Sequence, residues 1–191
     1  MSRSLWKVVQ PATTGVGGGG TTFLREIASE FYSRGLLASE DDDPDYILFN
    51  SVPFRNRLDW IRELQFLRRK FIRAKFIYRL DGPISVARGD MKSFIHDRWS
   101  YELASQFADG IVFQSEWSRK RHAELGYSPD AQWAVIHNGV NCQNFQGGLR
   151  TVSDVCRVAT TSWSTNCRKG FGTVSRLAER LDPLHHQRHA R

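Results

Sequence analysis

The sequence predicts an α/β protein with a mostly parallel sheet. Short, apolar, β-prone runs alternate with longer segments of helical periodicity, and no internal repeat of fixed period is present. The composition agrees, because 191 residues with 40% hydrophobic and 12% aromatic side chains suit a folded chain rather than a disordered one. No run approaches the ~18 consecutive apolar residues of a membrane span.

The first region alternates strands and helices in order. Its predicted strands are Leu5–Gln10, Tyr46–Asn50, Phe76–Leu80, Gly110–Gln114 and Trp133–His137. Helices are predicted between them, over 21–34, 56–74, 93–108 and 115–125. Thr21 or Thr22 can cap the first helix, and Gly35 can end it. Asp81-Gly82-Pro83 predicts a turn.

A second region is predicted after a polar, glycine-containing linker over 143–153. Val155–Thr161 predicts a strand, and Lys169–Leu181 predicts a helix that Asp182-Pro183 ends. A single βα unit cannot bury its own core, so we expect the chain to be truncated or frame-shifted near Pro183; a disordered basic tail is the alternative. The predicted regions are a domain over 1–150, the incomplete start of a second over 151–183, and a tail over 184–191 that does not look native.

A glycine-rich loop precedes the first helix. Gly15–Gly20 fits G-x-G-x-x-G, and its backbone N–H groups could approach an anion at the helix N-terminus. A dinucleotide-binding module is therefore one reading, but it needs a second strand ending in an acid, and Glu40–Asp43 follow almost no strand. Thr21 stands where a nucleoside-triphosphate-binding loop has lysine, which argues against nucleoside triphosphate hydrolysis. A flexible turn is the remaining alternative.

The segment Arg55–Lys75 carries eight basic and two acidic residues, and so most of the formal net charge of +7. Trp60, Leu64, Leu67 and Phe71 form one apolar stripe along it. Two interpretations stay open: a surface helix that packs its stripe on the sheet, or a basic helix that docks on an anionic membrane. No known nucleic-acid-binding pattern is present, so no nucleic-acid partner is expected.

Cysteine and histidine spacing gives no metal signature. The three cysteines are odd in number and form no C-x-x-C pair, which favours a reducing cytoplasm over a disulfide framework. His96, His122 and His137 lack the spacing of metal ligands and are interpreted as structural or surface residues. We expect no metal site.

Five segments stand in a characteristic order: Gly17–Gly20, Arg79–Pro83 (RLDGP), Ala108–Ser118 (ADGIVFQSEWS), Val135–Asn141 (VIHNGVN) with Phe145, and Thr161–Phe171. Together they resemble the family-4 retaining glycosyltransferases of the GT-B type. The resemblance implies two facing Rossmann-like domains, the first with a parallel sheet and helices on both faces. It implies that the acceptor binds mainly on the first domain and a nucleotide-sugar donor mainly on the second. Sugar transfer would retain the anomeric configuration without a metal or other cofactor.

The resemblance also implies how the donor diphosphate is held. Its leaving group develops negative charge, which backbone N–H groups and cations stabilise. Gly18, Gly19 and Gly20 would supply the N–H groups from the first domain. Arg168 and Lys169 would supply the cations from the second.

The acceptor side is expected around Asp81, as the residue that contacts the acceptor hydroxyl in catalysis, with Arg79 beside it. Both lie where a strand opens at its carboxyl end, the usual ligand position of open α/β sheets. A structural role for Asp81 in the Gly-Pro turn is the alternative. Arg88 and Asp97 are further acceptor-binding candidates. Ser115 is one too, although its position also suits a helix N-cap.

Two departures from the family pattern affect the expected activity. Asn141 replaces the usual aspartate after N-G-V, and the family's paired-glutamate region is not found. We therefore expect no sugar transfer by this chain alone. The expected partners are a nucleotide-sugar donor, a glycan or lipid-linked acceptor and, through Arg55–Lys75, the anionic inner face of the plasma membrane. The expected location is cytoplasmic, with a role in polysaccharide or lipopolysaccharide synthesis.

Overall fold

The computed structural model describes residues 3–9, 19–51, 56–139 and 171–188. The chain divides into two compact units, Met1–Val140 and Asn141–Arg191. Several predicted features lie outside the described residues: Gly18, the boundary near residue 150, the strand over 155–161, Arg168, Lys169 and the three cysteines.

The first unit is a five-stranded, all-parallel sheet in the order β1-β2-β3-β4-β5. The strands are β1 (Trp6–Val8), β2 (Tyr46–Phe49), β3 (Lys75–Leu80), β4 (Gly110–Phe113) and β5 (Gln132–Val135). The helices are α1 (Gly19–Ser33), α2 (Arg57–Lys70), α3 (Ile84–Arg88), α4 (Met91–Phe107) and α5 (Glu116–Glu124). The predicted α/β class with a parallel sheet is confirmed, and the architecture is consistent with a Rossmann-like fold.

After β1 the chain first passes to one side of this strand, at Leu37, and then returns to its other side, where β2 lies. Trp6 pairs with Tyr46 of β2 on one side and makes an isolated parallel bridge to Leu37 on the other. The connection through α1 therefore runs one way and the later connections run the other way. Because such crossovers are right-handed, α1 lies on the opposite face of the sheet from α2, α4 and α5. Helices thus cover both faces, as predicted.

The main core lies between the sheet and α2 and α4. Phe49, Phe76, Tyr78 and Phe113 supply the sheet side of this core. The apolar stripe of α2 packs on it, with Trp60, Leu64, Leu67 and Phe71 all buried. That burial confirms the first interpretation of the basic segment, in which the stripe faces the sheet.

Helix starts differ from the sequence predictions where tertiary contacts decide them. Helix α1 begins at Gly19, so the prediction that Thr21 or Thr22 caps it is wrong. Burial of Thr21 and Leu24 against the sheet outweighs the weak helix propensity of the glycines. Gly35 follows the helix with φ of 65°, which confirms its predicted role.

Helix α3 was not predicted, because its cap is distant in sequence. Pro83 is its N-cap residue and offers no side-chain hydrogen bond. The Asp97 carboxylate instead accepts from the first backbone N–H groups, those of Ile84 and Ser85. Gly89 then ends the helix in the left-handed conformation, with φ of 67°.

The second unit contributes one described helix, α6 (Phe171–Arg188). It runs through Asp182-Pro183, so the prediction that this pair ends the helix is wrong. Proline removes one main-chain hydrogen bond and bends a helix, but it does not forbid continuation. Residues 184–188, predicted to be part of a tail, are helical. Within the described ranges, no helix is long and apolar enough to cross a membrane.

Candidate functional site

Polar side chains gather at the carboxyl edge of the sheet. Asp81 directly follows β3, Gln114 directly follows β4, and Asn138 follows β5. Because the strands are parallel, these positions share one edge, where open α/β sheets bind their ligands. Arg79, the penultimate residue of β3, connects them. We call Arg79, Asp81, Gln114 and Asn138 the carboxyl-edge cluster.

Arg79 is the centre of this cluster and is only 2% exposed. Its Nη1 donates to Asp81 Oδ1. Its Nη2 donates to Asn138 Oδ1 at 2.8 Å and to Gln114 Oε1 at 3.3 Å. The guanidinium carbon lies 3.9 Å from the ring centroid of Phe23 in α1. A buried guanidinium is costly unless its donors find acceptors, and the three hydrogen bonds use three of its five N–H groups.

The cluster fixes three loops relative to one another. Asp81, Gln114 and Asn138 come from three separate strand ends, and one cation holds all three. Asn138 Nδ2 also donates to Gln114 Oε1 at 3.3 Å. The side chain of Asp81 remains 32% exposed. The arrangement therefore presents a carboxylate at the surface on a rigid support, which suits binding of a hydroxyl-bearing ligand.

A buried histidine supports Asp81 from its main-chain side. His122 Nε2 donates to the Asp81 carbonyl oxygen at 2.6 Å, and Ser118 Oγ donates to the same oxygen at 3.2 Å. A carbonyl can only accept, so Nε2 carries the proton and Nδ1 accepts from Tyr101 Oη at 2.8 Å. Burial lowers the pKa of His122, which keeps the imidazole neutral.

Gly82 packs closely on two side chains next to Asp81. A Cβ at this position would lie 3.0 Å from Trp117 Cζ3 and 3.3 Å from Gln114 Nε2. A larger residue at this position would therefore displace the side chains of Trp117 and Gln114 by a few tenths of an ångström. The glycine of the RLDGP segment thus has a steric explanation in this fold.

A small cavity of about 100 Å³, lined by both polar and apolar residues, lies beside the cluster. Burial raises the pKa of the Tyr78 hydroxyl far above its usual range, so the hydroxyl stays protonated. His96 Nδ1 is buried and has no hydrogen-bond partner among the described residues. The cavity can hold a few water-sized groups and offers them both donors and acceptors. The lining includes Ser51, Tyr78, Asp81, His96, Asp97 and Ser100.

The other predicted acceptor-binding residues are not part of the carboxyl-edge cluster. Asp97 is buried, and both of its carboxylate oxygens cap α3. Ser115 is the N-cap of α5, since its Oγ accepts from Ser118 N at 3.1 Å. Arg88 lies exposed in the last turn of α3. The structure therefore brings Arg79 and Asp81 together, whereas the side chains of Asp97 and Ser115 cap helices.

The described glycines of the loop lie close to the cluster. Gly19 and Gly20 form the start of α1, about one turn before Phe23. Since Phe23 packs on Arg79, the N-terminus of α1 adjoins the carboxyl-edge cluster. A Cβ on Gly19 would meet none of the described residues within 4 Å, so packing against them does not require glycine there.

Sequence reasoning missed Gln114, Asn138 and Phe23. Gln114 and Asn138 stand inside two of the quoted segments, QSEWS and VIHNGVN, at and shortly after the carboxyl ends of strands. The rule that ligands gather at carboxyl ends could have selected them. Phe23 carries no such signal, because its contact with Arg79 depends on the crossing of α1 over the sheet.

The described residues contain no group of three or more His, Cys, Asp or Glu side chains placed to hold a metal ion. Comparison with protein-family models finds no matching family, and comparisons with curated proteins and with solved structures find no match. The resemblance to family-4 glycosyltransferases therefore rests on the sequence motifs alone.

Proposed function

We propose that the chain is the acceptor-side part of a retaining glycosyltransferase, which transfers a sugar from a nucleotide-sugar donor to an acceptor. The observation that carries the proposal is the carboxyl-edge cluster. Its partly exposed carboxylate and buried guanidinium lie in the RLDGP segment, beside the glycine-rich start of α1. These are two of the five segments in which the family resemblance was found.

In this proposal Asp81 orients the acceptor hydroxyl, and Arg79 holds Asp81. A carboxylate that accepts a hydroxyl proton in a hydrogen bond positions the oxygen for attack. The small cavity beside the cluster would accommodate neighbouring groups of the acceptor. Arg88 is exposed and follows Asp81 closely in the sequence, and it could add a cationic contact to the acceptor.

The donor diphosphate would lie at the N-terminus of α1. The first N–H groups of a helix have no intrahelical partner and favour an anion. No described residue lies within 4 Å of a Cβ built on Gly19, which supports a role in which a ligand approaches the backbone. Gly18, Arg168 and Lys169 would complete this contact according to the family resemblance.

Donor titration separates this proposal from the dinucleotide-binding alternative. The full chain would be titrated calorimetrically with UDP-sugars, GDP-sugars and NADH. We expect saturable binding of a nucleoside-diphosphate sugar, weakened several-fold by Gly19→Ala. Ser29→Ala, an exposed substitution on the same helix, is the matched control and should leave affinity unchanged. Tight binding of NADH without affinity for any nucleotide sugar would contradict the proposal.

We also propose peripheral contact with an anionic membrane in the cytoplasm. The buried stripe of α2 is not available for it, so the contact would use the outer surface. There, exposed Phe66 and Ile72 alternate with exposed Arg62, Arg69 and Arg73. Sedimentation with phosphatidylglycerol vesicles should be strong at low salt and weak at high salt. Equal binding to neutral phosphatidylcholine vesicles would contradict it.

A further inference from the structure

The indole of Trp117 lies at the carboxyl edge of the sheet, beside the turn that carries Asp81. Trp117 is in the first turn of α5, which follows β4 closely and therefore starts at this edge. A Cβ built on Gly82 would lie 3.0 Å from Trp117 Cζ3 and 3.9 Å from Trp117 Cη2, so one edge of the indole packs against the residue after Asp81. Much of the ring stays open, since Trp117 is 51% exposed.

Hydrogen bonds fix the position of this indole relative to Asp81. Ser118, the buried neighbour of Trp117 in the sequence, donates from Oγ to the Asp81 carbonyl oxygen at 3.2 Å. His122, one turn further along the helix, donates to the same oxygen at 2.6 Å. Helix α5 is thus attached to the main chain of Asp81 at two points. The indole and the Asp81 carboxylate therefore keep a defined spacing, as a binding site requires.

Polar groups of both kinds lie beside the exposed ring. The partly exposed carboxylate of Asp81 accepts hydrogen bonds. Gln114 Oε1 accepts two hydrogen bonds within the carboxyl-edge cluster. Gln114 Nε2, which is a donor, lies 3.3 Å from the Cβ position on Gly82, against which Trp117 also packs. An aromatic ring, a hydrogen-bond acceptor and a hydrogen-bond donor thus meet at one place.

This combination suits the ring of a sugar. A pyranose carries hydroxyl groups around its rim, which donate and accept hydrogen bonds, and apolar C–H groups on its two faces. The C–H groups pack on the face of an aromatic ring, which carries partial negative charge, while the hydroxyl groups contact neighbouring polar side chains. An open-chain polyol has similar hydroxyl groups but no flat apolar face. An indole beside a carboxylate therefore distinguishes the two kinds of ligand.

Arg121 leaves the indole accessible. Its guanidinium carbon lies 5.8 Å from the ring centroid of Trp117, close to the limit of about 6 Å for a cation–π contact. Its Nη1 donates to Glu124 at 2.5 Å, which holds the guanidinium on the next turn of the helix. Trp117 keeps its exposure with Arg121 in this position.

A second tryptophan shows which feature singles out Trp117. Trp133, in the amino-terminal half of β5, is also 51% exposed, and Arg119 lies 5.1 Å from its ring centroid. Single exposed apolar side chains are normal on protein surfaces, so exposure alone indicates no ligand. Trp117 differs from Trp133 in its packing against the turn of Asp81. That position, and not exposure, carries the inference.

We propose that Trp117 is the surface on which a pyranose ring of the acceptor stacks while one of its hydroxyl groups contacts Asp81. This inference rests on the proposed function and adds a specificity-determining residue to that site. Trp117 selects a cyclic sugar over an open-chain polyol.

The shape of the ligand tests the stacking surface. Saturation-transfer NMR titrations of the full chain would use the methyl glycosides of glucose, galactose, mannose and N-acetylglucosamine, with sorbitol as the open-chain control. We expect at least one glycoside to bind and sorbitol to bind several-fold more weakly. The strongest saturation should fall on the C–H protons of one face of the bound ring. Sorbitol binding as tight as that of the best glycoside, or no glycoside binding, would overturn the proposal.

Matched tryptophan variants locate the contact. Trp117→Leu keeps an apolar side chain against Gly82 but removes the aromatic ring, Trp117→Phe keeps a ring, and Trp133→Leu removes an equally exposed indole from β5. We expect Trp117→Leu to weaken glycoside binding by about two- to ten-fold and to lose the saturation of one ring face. Trp117→Phe should retain most of the affinity, and Trp133→Leu should match the wild-type chain.

The same variants also give the results that would overturn the proposal. Unchanged affinity in Trp117→Leu, or equal losses in Trp117→Leu and Trp133→Leu, would exclude a specific stacking contact. Equal losses in Trp117→Leu and Trp117→Phe would show that Trp117 acts only by packing against Gly82. Thermal denaturation of each variant checks that it is folded.

Titration with nucleotide sugars separates failure of this inference from failure of the proposed function. Glycoside binding that depends on Trp117, without affinity for any nucleotide sugar, would support the stacking surface and reject glycosyl transfer. Nucleotide-sugar binding together with glycoside binding that does not depend on Trp117 would reject the stacking surface alone.

Discussion

Two arginine–aspartate pairs lie at opposite edges of the sheet and are anchored differently. At the amino edge, Arg68 Nη2 donates to Asp109 Oδ2 at 2.9 Å. The same guanidinium donates to the main-chain oxygens of Ala74 at 3.2 Å and Phe107 at 2.9 Å. At the carboxyl edge, Arg79 donates to side-chain oxygens of the carboxyl-edge cluster instead.

The two pairs share one further contact. Each arginine packs over a phenylalanine ring, Arg68 over Phe76 at 4.2 Å and Arg79 over Phe23 at 3.9 Å. Main-chain oxygens such as those of Ala74 and Phe107 are fixed by the backbone, whereas side-chain oxygens can rotate towards a ligand. The comparison indicates that the amino-edge pair stabilises the fold, and that the carboxyl-edge pair also suits binding.

Removing each arginine should give the largest difference in stability between the two pairs. Arg79 is fully buried, so Arg79→Ala leaves several polar groups unpaired and should cost about 3–5 kcal/mol of unfolding free energy. The side chain of Arg68 is 33% exposed, and Arg68→Ala should cost about 1–2 kcal/mol. Urea denaturation followed by tryptophan fluorescence measures both. Equal losses would contradict the different burial of the two pairs.

Low pH should weaken the hydrogen bond by which His122 supports Asp81 at the carboxyl edge. Burial lowers the pKa of His122, so below about pH 6.5 the unfolded chain takes up protons that the folded chain resists. The stability due to neutral His122 is therefore complete above about pH 6.5 and is lost as the pH falls towards the folded pKa.

The urea midpoint at about pH 7.5 and about pH 5 measures this loss. In His122→Gln the part of the pH dependence due to this imidazole should disappear. His137→Gln changes an exposed histidine and should keep the dependence. An unchanged pH dependence in His122→Gln would show that this imidazole does not support Asp81.

Two glycine substitutions should give the smallest effects, with opposite signs. A Cβ on Gly110, at the amino edge, would lie 3.1 Å from Ile77 Cδ1, so Gly110→Ala should destabilise the fold by about 1 kcal/mol. Gly19→Ala meets open space in a helix and should stabilise it by about 0.5–1 kcal/mol. Thermal denaturation distinguishes the two. A destabilised Gly19→Ala would mean that the glycine is needed for folding.

The sequence patterns predicted what depends on local order. The strand Phe76–Leu80 follows from its apolar run, and the Ser115 cap follows from a side chain that bonds three residues ahead. The partners of Arg79 could not be predicted in this way, because Gln114 and Asn138 are 35 and 59 positions away.

Other features depend equally on tertiary structure. Helix α3 depends on Asp97, which is 12 and 13 positions beyond the N–H groups that it caps. The exposed apolar face of α4, formed by Met91, Phe94 and Ile95, could not be recognised from the sequence, because apolar residues occur on both sides of this helix. Periodicity alone therefore located the helix without showing which of its faces the fold buries.

The most direct test compares Asp81→Asn with Asp109→Asn in acceptor binding. Saturation-transfer NMR would be recorded on the full chain with methyl glycosides of glucose, galactose, mannose and N-acetylglucosamine. We expect the wild-type chain and Asp109→Asn to bind at least one of them, and Asp81→Asn to lose that signal while remaining folded. Binding retained in Asp81→Asn, or lost equally in both variants, would contradict a role for the carboxyl-edge cluster in acceptor recognition.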